Sequence, residues 1–575
     1  MLQTKKTVSL LIMAFVISFN FGCSDDGGTG SITDSSTPAP AITSVTPDEG
    51  TVGTELTVSG SGFESASMVS IGGVGSDDIE FSSPTTLYVK VPSQIDGNTP
   101  LDVTVTNSDG QQSILDEAFI AIDPQLMFVN SATKPSGTIG STVILEGKAF
   151  GDTQGESVIY FSDGAEGLIE ATIHSSDDWT DTFIVTTVPE GAGDGPVLVE
   201  TEIGTSETID FKITDAATFS PSAIEWSHTI PLPEAASGHK AVYTPLIDTN
   251  GDTQQYVYVT GGRNQDSESI DQALYGRIDS NGEITSWNTT SNLPEPVSFH
   301  ASVAATPNNS RISGSGAVYV IGGTNSSGEP LSTISIGDLQ EGAGITNWRS
   351  GTPLPEPLHS AGAVIFRSTI YVAGGATTDH EPIARVYKAE IDTLGDVGEW
   401  QELPSLPSPR SYHSFLSFGG FLYTVGGESA AVTPDDGNSQ NNDTKLREIA
   451  YARIDLRTGD LQNSSWTINE DELQKRRSKH TSVIAGGTLF VSSGLYSAAA
   501  QGSSENMHAQ IHSDGSIGSF NGATGSNTLL SEGGNNLFNQ TGLSYVDENG
   551  VAHVMILGGD DVNDPGSKSD NVLYY

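Results

Sequence analysis

The sequence is nearly devoid of cysteine. Cys23 is the single cysteine among 575 residues. Because a disulfide needs two cysteines, none can form within the chain, and its stability must come from packing.

Positive charge is also scarce. The chain has 24 lysine and arginine residues against 72 aspartate and glutamate residues, which gives a formal net charge of −48. Such a surface repels phosphate backbones and anionic lipid headgroups. Nucleic acid is therefore not expected as a partner, and solubility in salty or calcium-containing surroundings is the simplest reason for the excess of acid.

Catalytic signatures are missing as well. The sequence has no G-x-S-x-G elbow, H-E-x-x-H motif, P-loop or dinucleotide fingerprint. Paired carboxylates that hydrolyse glycosides cannot be recognised, because 72 acidic residues produce chance pairs on any loop. The sequence predicts no catalytic residue and no cofactor, and an enzyme remains an open alternative.

The N-terminus carries a hydrophobic run, Val8 to Phe19, that is short for a transmembrane span. It follows Lys5 and Lys6 and ends just before a small residue, Gly22. This order predicts a secretory signal over residues 1–22.

A lone cysteine follows that signal directly. Cys23 after Gly22 resembles the acylation site of bacterial lipoproteins, although Asn20 and Phe21 depart from the usual lipobox, and Ser24-Asp25-Asp26 resembles the acidic export tag of surface lipoproteins in Bacteroidetes-like bacteria. The resemblance implies a lipid anchor at Cys23 and a place in the bacterial cell envelope, as an outer-membrane or cell-surface lipoprotein. An ordinary cleaved signal with an incidental cysteine is the alternative.

Small and polar residues dominate positions 23–40, which predicts a flexible tether. Beyond it, 65 glycines and 27 prolines suit many short strands joined by tight turns better than helices. An all-β protein is therefore expected.

A unit recurs six times between about Phe219 and Tyr575. Each copy has a β-branched or aromatic run closed by glycine. The closing glycines are Gly261-Gly262, Gly322-Gly323, Gly374-Gly375, Gly426-Gly427, Gly494 and Gly558-Gly559. Glycine lets the chain turn sharply and lets backbones approach closely. Because such repeats cannot bury their faces alone, they predict a six-bladed β-propeller over residues 217–575.

The ends of the repeat region are out of phase. An aliphatic-x-x-Trp step marks the outer strands, as at Trp287 and Trp348. Ile224 to Trp226 has the aliphatic-x-Trp character of an outer strand with nothing before it to complete a blade, while Val572 to Tyr575 matches a third strand. The two remnants complete one blade, so the propeller is expected to be closed by an N-terminal strand.

Two earlier blocks share another pattern. Ile42 to Phe63 lays out a strand, a Pro/Gly turn, an alternating strand and a glycine corner, and Pro135 to Phe150 repeats it. The pattern resembles the IPT/TIG immunoglobulin-like domain. The resemblance implies two antiparallel sandwiches, over residues 41–122 and 123–216, that act as spacers.

The glycine pairs, the tryptophan step and the Leu-Pro pairs, as at Leu232 and Leu293, resemble Kelch repeats of the galactose-oxidase-like propeller class. The resemblance is specific for fold and weak for function. Galactose oxidase itself needs copper and a tyrosine crosslinked to cysteine, and with no cysteine after Cys23 that cofactor cannot form here.

Histidines recur seven residues after the leucine of four units. They are His239, His300, His413 and His480. The same count gives Ala361 in the third unit and Leu537 in the sixth, so the ring is incomplete. A residue repeated in most units is usually structural, and no metal site is predicted.

Candidate ligand residues are sought in loops, where the copies differ. Arg263, Asp379, His380, Arg410 and Tyr412 together suit hydrogen bonding to a sugar and stacking on it. For each of them, a solvated loop residue without a ligand is the alternative.

The sequence thus favours a lipid-anchored cell-surface protein with a tether, two spacers and a propeller that binds a glycan or an extracellular protein. Tandem immunoglobulin-like spacers on a lipoprotein resemble surface glycan-binding proteins. A carbohydrate-active enzyme such as a sugar epimerase or lyase is the alternative, because some six-bladed Kelch proteins resemble sialic-acid epimerases, and a structural or adhesion role is a third.

Overall fold

The computed structural model is all-β, and it confirms two immunoglobulin-like sandwiches followed by a six-bladed propeller that an N-terminal strand closes. It describes residues 38–92, 95, 97, 99–129, 135–173, 176–213, 226–247, 253–307, 310, 312–340, 342–430, 444–455, 458–496, 506–512, 514–522, 537–546, 551–561 and 567–575. The expected signal segment, Cys23 and most of the tether lie outside these ranges.

The first sandwich packs two sheets around one apolar core. Alternation along the strands turns Leu56, Val58, Val103 and Val105 inward, and all four are fully buried. In spatial order, one sheet contains Ala41–Thr46, Glu55–Ser61, Thr86–Lys90 and Ile79–Ser83. The other contains Glu49–Gly50, Gln112–Ala121, Pro100–Thr106, Met68–Ile71 and Val74–Gly75.

The second sandwich repeats this topology, including a short parallel strand pair at one edge. Trp179 fills its core, and the indole N–H donates to the carbonyls of Phe150 and Gly151 at 3.1 Å. One sheet contains Gln125–Val129, Thr142–Lys148, Phe183–Thr187 and Trp179–Thr180. The other contains Ser136–Gly137, Ile209–Ile213, Gly195–Glu200, Val158–Ser162 and Leu168–Ala171.

Six four-stranded antiparallel sheets form the propeller, and their innermost strands contact one another in a closed ring. From the innermost strand outward, blade 1 contains Lys240–Ile247, Thr253–Thr260, Ala273–Ile278 and Ile284–Thr289. Blade 2 contains Ala301–Ala305, Ala317–Ile321, Ile334–Leu339 and Ile345–Ser350. Blade 3 contains Gly362–Phe366, Thr369–Ala373, Val386–Glu390 and Gln401–Leu403.

Blade 4 contains Ser414–Phe418, Phe421–Val425, Ile449–Arg453 and Thr467–Ile468. Blade 5 contains Thr481–Ala485, Thr488–Ser492, Asn506–Gln510 and Asn521–Gly522. Blade 6 contains Thr541–Val546, Ala552–Leu557, Val572–Tyr574 and Ser227–His228. An additional pair, Leu537–Phe538 with Asp560–Asp561, lies beside blade 6, and the described 3₁₀ turns are Ser176–Asp178 and Gln462–Ser464.

Blade 6 closes the ring with a strand that lies slightly later than the sequence indicated. Ser227 pairs with Tyr574 and His228 with Leu573. Trp226 precedes this strand and packs between blades 5 and 6 against Phe490, while residues 224 and 225 lie outside the described ranges. The tryptophan therefore anchors the closing segment rather than pairing within it.

In blades 1 to 4 a recurring tryptophan attaches the outer strand to the chain that enters the blade. The indole N–H groups donate to backbone carbonyls, from Trp287 to Ile230 and from Trp348 to Ser291. Trp400 and Trp466 make the same bond in the next two blades. This common contact explains why the tryptophan step keeps the period of the repeat.

The second sandwich touches the propeller at the first hairpin of blade 3. Arg367 extends its guanidinium over the Phe183 ring at 5.2 Å and makes an ion pair of 2.5 Å with Glu146, which is almost fully buried. Phe366 packs beside it on Ile144 and Val185. This contact lies on the propeller face opposite the loops that follow the glycine pairs.

Candidate functional site

A belt of six residues surrounds one mouth of the central channel. Each belt residue directly precedes the histidine position of its blade. The belt consists of Gly238, Phe299, Ser360, Tyr412, Lys479 and Asn539. All six have φ between +51° and +59°, and each N–H donates to the carbonyl of the belt residue in the preceding blade, at 2.8–3.2 Å. The backbone therefore forms a closed circle of six hydrogen bonds, while the six side chains differ.

Behind the belt, the recurring histidines fill the gaps between blades. The imidazole of His413 lies where glycine leaves space, since a Cβ on Gly374 would lie 2.8 Å from its Cε1 and one on Gly427 2.8 Å from its Cβ. In the sixth blade the equivalent residue is Gln540, which faces Gly559, and not Leu537 as the sequence count suggested. The glycine pairs thus make room for the side chains at the histidine position of each blade.

The histidines are buried and electrically neutral in this position. Burial lowers the pKa of His239, His300 and His480 to about 3, and that of His413 well below its ordinary value. Across the described ranges no group of three or more His, Cys, Asp or Glu side chains is arranged to hold a metal. Their contacts give these residues a packing role between blades.

At the mouth, cationic groups and aromatic rings alternate in one row. The Arg263 guanidinium lies 4.8 Å from the Phe299 ring, Phe299 meets Tyr412 edge to face at 6.1 Å, and the Lys479 ammonium lies 4.8 Å from the Tyr412 ring. Lys479 also approaches Phe538 at 5.7 Å. Because the intervening belt residue is the small Ser360, the rings of blades 2 and 4 can touch across the mouth.

Acidic and amide groups flank one end of this row. Asp560 accepts a hydrogen bond of 2.8 Å from the side-chain amide of the belt residue Asn539 and lies 3.6 Å from the Lys568 ammonium. Burial lowers the pKa of Arg263, whereas Tyr412 and Asp560 favour its charged form. The mouth therefore keeps charged groups out of water, and only 9% of Arg263 and 5% of Lys479 are exposed.

Two histidines form a pair beside the Tyr412 ring. His359 is fully buried and approaches His380 through Nε2 and Nδ1 at 3.0 Å, while its Nδ1 lies 3.1 Å from the Ser360 hydroxyl. Burial lowers the pKa of His359 to about 3, with His380, Lys479 and Arg263 adding to the effect. His359 therefore stays neutral at physiological pH and acts as a hydrogen-bonding group.

The structure brings three of the five sequence candidates to this mouth. Arg263 and Tyr412 lie in the row, and His380 reaches it through His359. Asp379 is exposed on the adjacent loop tip. Arg410 is fully buried behind the belt, where it binds Glu448 and the Gly426 carbonyl.

Sequence reasoning missed Phe299, His359, Lys479 and Asp560. Phe299 and Lys479 share a column with Tyr412, immediately before the recurring histidine. Aligning that column across all six units gives six different residues, a variability that points to a site. Asp560 has no such signal, because its approach to Arg263 depends on the three-dimensional closure of the ring.

The cavity at the belt is small, about 50 Å³, whereas a cavity of about 360 Å³ lies on the opposite face. Arg367, Tyr371, Glu390, Asp392 and Asp455 line the larger one, beside the contact with the second sandwich. Arg367 already binds Glu146 there. The described ranges contain no helix with the length and hydropathy needed to span a bilayer.

Residues 40–118 match the IPT/TIG domain family model. Kelch-like protein 40 of Mus musculus is 29% identical over 219 residues, which cover 35% of this chain and 32% of that protein. Kelch-like protein 41b of Danio rerio is 26% identical over 33% of this chain and 27% of its own length, and Beta-scruin of Limulus polyphemus is 28% identical over 24% and 14%. The chain thus spans about a third or less of the length of these curated relatives. It combines an IPT/TIG domain with a β-propeller whose repeats are similar to those of the Kelch-like proteins.

Proposed function

We propose that the protein is a lipid-anchored cell-surface binding protein whose propeller recognises an extracellular protein at the loop face around the belt. The observation that carries the proposal is the row Arg263, Phe299, Tyr412 and Lys479 at the centre of that face. Charged groups on aromatic rings, withdrawn from water, are typical of the centre of a binding site rather than of a solvated surface.

Charge on the loop face is arranged in two zones. The loop tips that follow the glycine pairs carry exposed acids. These are Asp266, Glu268, Glu329, Asp379 and Glu381. The buried centre carries Arg263 and Lys479 instead. A complementary partner therefore has a basic surface that surrounds an acidic tip, and the net charge of −48 attracts such a surface over long range.

The size of the cavity favours a macromolecular partner over an enclosed sugar. About 50 Å³ at the belt holds a few water molecules and no sugar ring. A glycan or a substrate for an epimerase would need a larger enclosed space beside Arg263, Tyr412 and His380. A protein partner needs only the loop face and one side chain that reaches the centre.

Photo-crosslinking tests the proposal because it captures a partner whose identity is still open. A photoreactive residue at Asp379 lies on the loop face, and one at Leu394 is an exposed control in a turn beside the opposite face. We expect a defined protein crosslink from position 379 that is absent from position 394. Equal crosslinking from both positions, or capture of a glycan alone by the intact chain, would contradict it.

The affinity for the identified partner then tests whether Arg263 and Lys479, at the centre of the loop face, take part in binding. The double variant Arg263→Gln with Lys479→Gln is expected to bind at least about tenfold more weakly, equivalent to about 1.4 kcal/mol. Arg453→Gln is the matched control, since Arg453 lies 5.9 Å from the Phe421 ring but is exposed and remote from the belt. Unchanged affinity in the double variant would move the binding site elsewhere.

The lipid anchor is a separate part of the proposal. Cys23→Ser removes the thiol that would be acylated. The variant is expected in the soluble fraction of the producing bacterium, with the unaltered chain in the envelope fraction. The same fractionation for both proteins would rule out anchoring through Cys23.

A further inference from the structure

Below the belt, a second cavity of about 140 Å³ continues down the central channel. One position of each innermost strand contributes to its wall. In blade order the position holds Lys240, Ala301, Gly362, Ser414, Thr481 and Thr541. Five of these residues are small, so at this position only blade 1 carries a long cationic side chain.

Among the described residues, no acidic side chain lines the space around Lys240. Lys240 lines both the 140 Å³ cavity and the 50 Å³ cavity above it, and neither set of lining residues includes an aspartate or a glutamate. Its ammonium makes no hydrogen bond or ion pair with the residues that the structure describes, and burial lowers the pKa of Lys240 with no described carboxylate to offset it. Lys240 is half-buried, and a cation withdrawn from water in this way is stabilised by a partner, because desolvation is costly without one.

Polar atoms on four further side chains along the same cavity lack hydrogen-bond partners among the described residues. They are the Gln540 Oε1, the Ser482 hydroxyl and both ring nitrogens of His413 and of His480, on side chains that are 6%, 6%, 8% and 7% exposed. Buried polar atoms in folded proteins are nearly always satisfied by protein, water or an ion. The Ser482 hydroxyl and the one N–H of neutral His413 can each donate, whereas the Gln540 Oε1 can only accept.

We propose that the central channel binds a small monovalent anion of the halide class at the ammonium of Lys240. The donors of Ser482 and His413 complete its shell, together with water. The volume is sufficient, since one water needs about 10–15 Å³ of such space. An acidic molecule repels anions in general, so this site depends on local donors rather than on the overall field.

Bromide is the probe, because it scatters anomalously and replaces chloride. Crystals of the full chain soaked in sodium bromide are expected to show an anomalous peak in contact with the Lys240 ammonium. Lys240→Thr, which installs the residue of blades 5 and 6, is expected to lose the peak, whereas Lys475→Gln, a loop lysine over the Tyr496 ring, is expected to keep it. Water alone in the channel of the unaltered chain would overturn the proposal.

Thermal unfolding in solution also tests the anion site at Lys240. At constant ionic strength, with gluconate as the balancing anion, bromide is expected to raise the melting temperature of the unaltered chain until the site saturates. The increase is expected to be absent in Lys240→Thr, or in Lys240→Gln should the threonine variant fail to fold. An equal increase in the lysine variant and the unaltered chain would assign the effect to general salt and overturn the site.

Discussion

Glycines of one blade make room for histidine side chains of the next blade. Gly426 has φ of +57°, and a Cβ there would meet the Arg477 carbonyl at 2.8 Å and His480 Cε1 at 2.9 Å. The glycine therefore serves two needs, a left-handed backbone and room for the imidazole of the next blade. Gly419 has the same φ of +57° but nothing within 4 Å of its Cβ position, so the two needs can be separated experimentally.

Gly426→Ala is expected to destabilise the propeller more than Gly419→Ala. Both substitutions place a Cβ in the left-handed region, which costs about 1–2 kcal/mol. Only Gly426→Ala also overpacks the blade interface, which adds about 1–3 kcal/mol. Differential scanning calorimetry of the two variants measures the difference, and equal melting temperatures would show that the imidazole contact does not limit the space.

Acidification is expected to destabilise the propeller through its buried histidines. The folded pKa of His480 is about 3, below the ordinary value of 6.5, so between these values the unfolded chain binds a proton that the folded chain does not. Stability is therefore lost as the pH falls through this window, by up to about 1.4 kcal/mol per pH unit for each such histidine.

His480→Gln isolates one proton of this effect, because blade 6 carries Gln540 at the equivalent position. Urea unfolding at pH 7, 6 and 5 is expected to give a weaker pH dependence for the variant than for the unaltered chain. Parallel profiles would mean that His480 is protonated in the folded protein.

At the level of elements, blade 6 differs from the other blades because its outer strand comes from the N-terminal end of the propeller. Ser227–His228 is only two residues long, so its pairing with Val572–Tyr574 contributes few hydrogen bonds. Trp226 adds an apolar attachment, because it is 5% exposed and packs against Phe490 and Leu573. Burial of a large aromatic ring fixes the end of a strand that is too short to hold itself.

Trp226→Ala is expected to lower the free energy of unfolding of the propeller by about 3–5 kcal/mol. Trp287→Ala, which truncates a half-buried indole of blade 1, is the control and is expected to cost less. Thermal unfolding followed by tryptophan fluorescence and circular dichroism compares them. A larger loss in the control would place the weak point of the ring in the outer strands.

The sequence predicted the blades well because their determinants are local and repeated. The tryptophan step and the glycine pairs each make one recurring contact, so a regular spacing reports a regular structure. The mouth was harder to predict. The belt residues share a positive φ and a backbone hydrogen bond, and neither requires a particular side chain, as Phe299, Ser360 and Lys479 show.

Arg410 shows that the direction of a side chain could not be predicted from the sequence. It shares its chain segment with Tyr412, yet its side chain points behind the belt to Glu448. Arg263, in a different blade, reaches Phe299 instead. Residue type and loop position alone could not separate these two arginines, because the direction of each side chain depends on contacts between blades.

At the scale of the whole molecule, the second sandwich contacts the propeller at the first hairpin of blade 3. Arg367 is the centre of that contact, with the nearly buried Glu146 carboxylate on one side and the Phe183 ring below. Removing one partner of such a pair is costly, because the other charge stays buried. The contact holds the sandwich on the face opposite the belt and leaves the loop face open to a partner.

Arg367→Ala is expected to loosen the sandwich from the propeller. Small-angle X-ray scattering is expected to show a larger radius of gyration, and calorimetry is expected to separate the unfolding of the two parts. Arg385→Ala is the control, since Arg385 pairs with Glu356 on the same blade but is largely exposed. An unchanged radius of gyration in Arg367→Ala would mean that the remaining apolar contact suffices.

The belt has a consequence for how such a protein can change over evolutionary time. Its six amide groups satisfy one another around a circle that has no first or last member, so the ring needs nothing from the side chains it carries. Phenylalanine, serine, tyrosine, lysine and asparagine already occupy it beside one glycine. Random mutation at these six positions would therefore vary the chemistry of the mouth while the scaffold remained intact, much as a library varies the loops of an antibody.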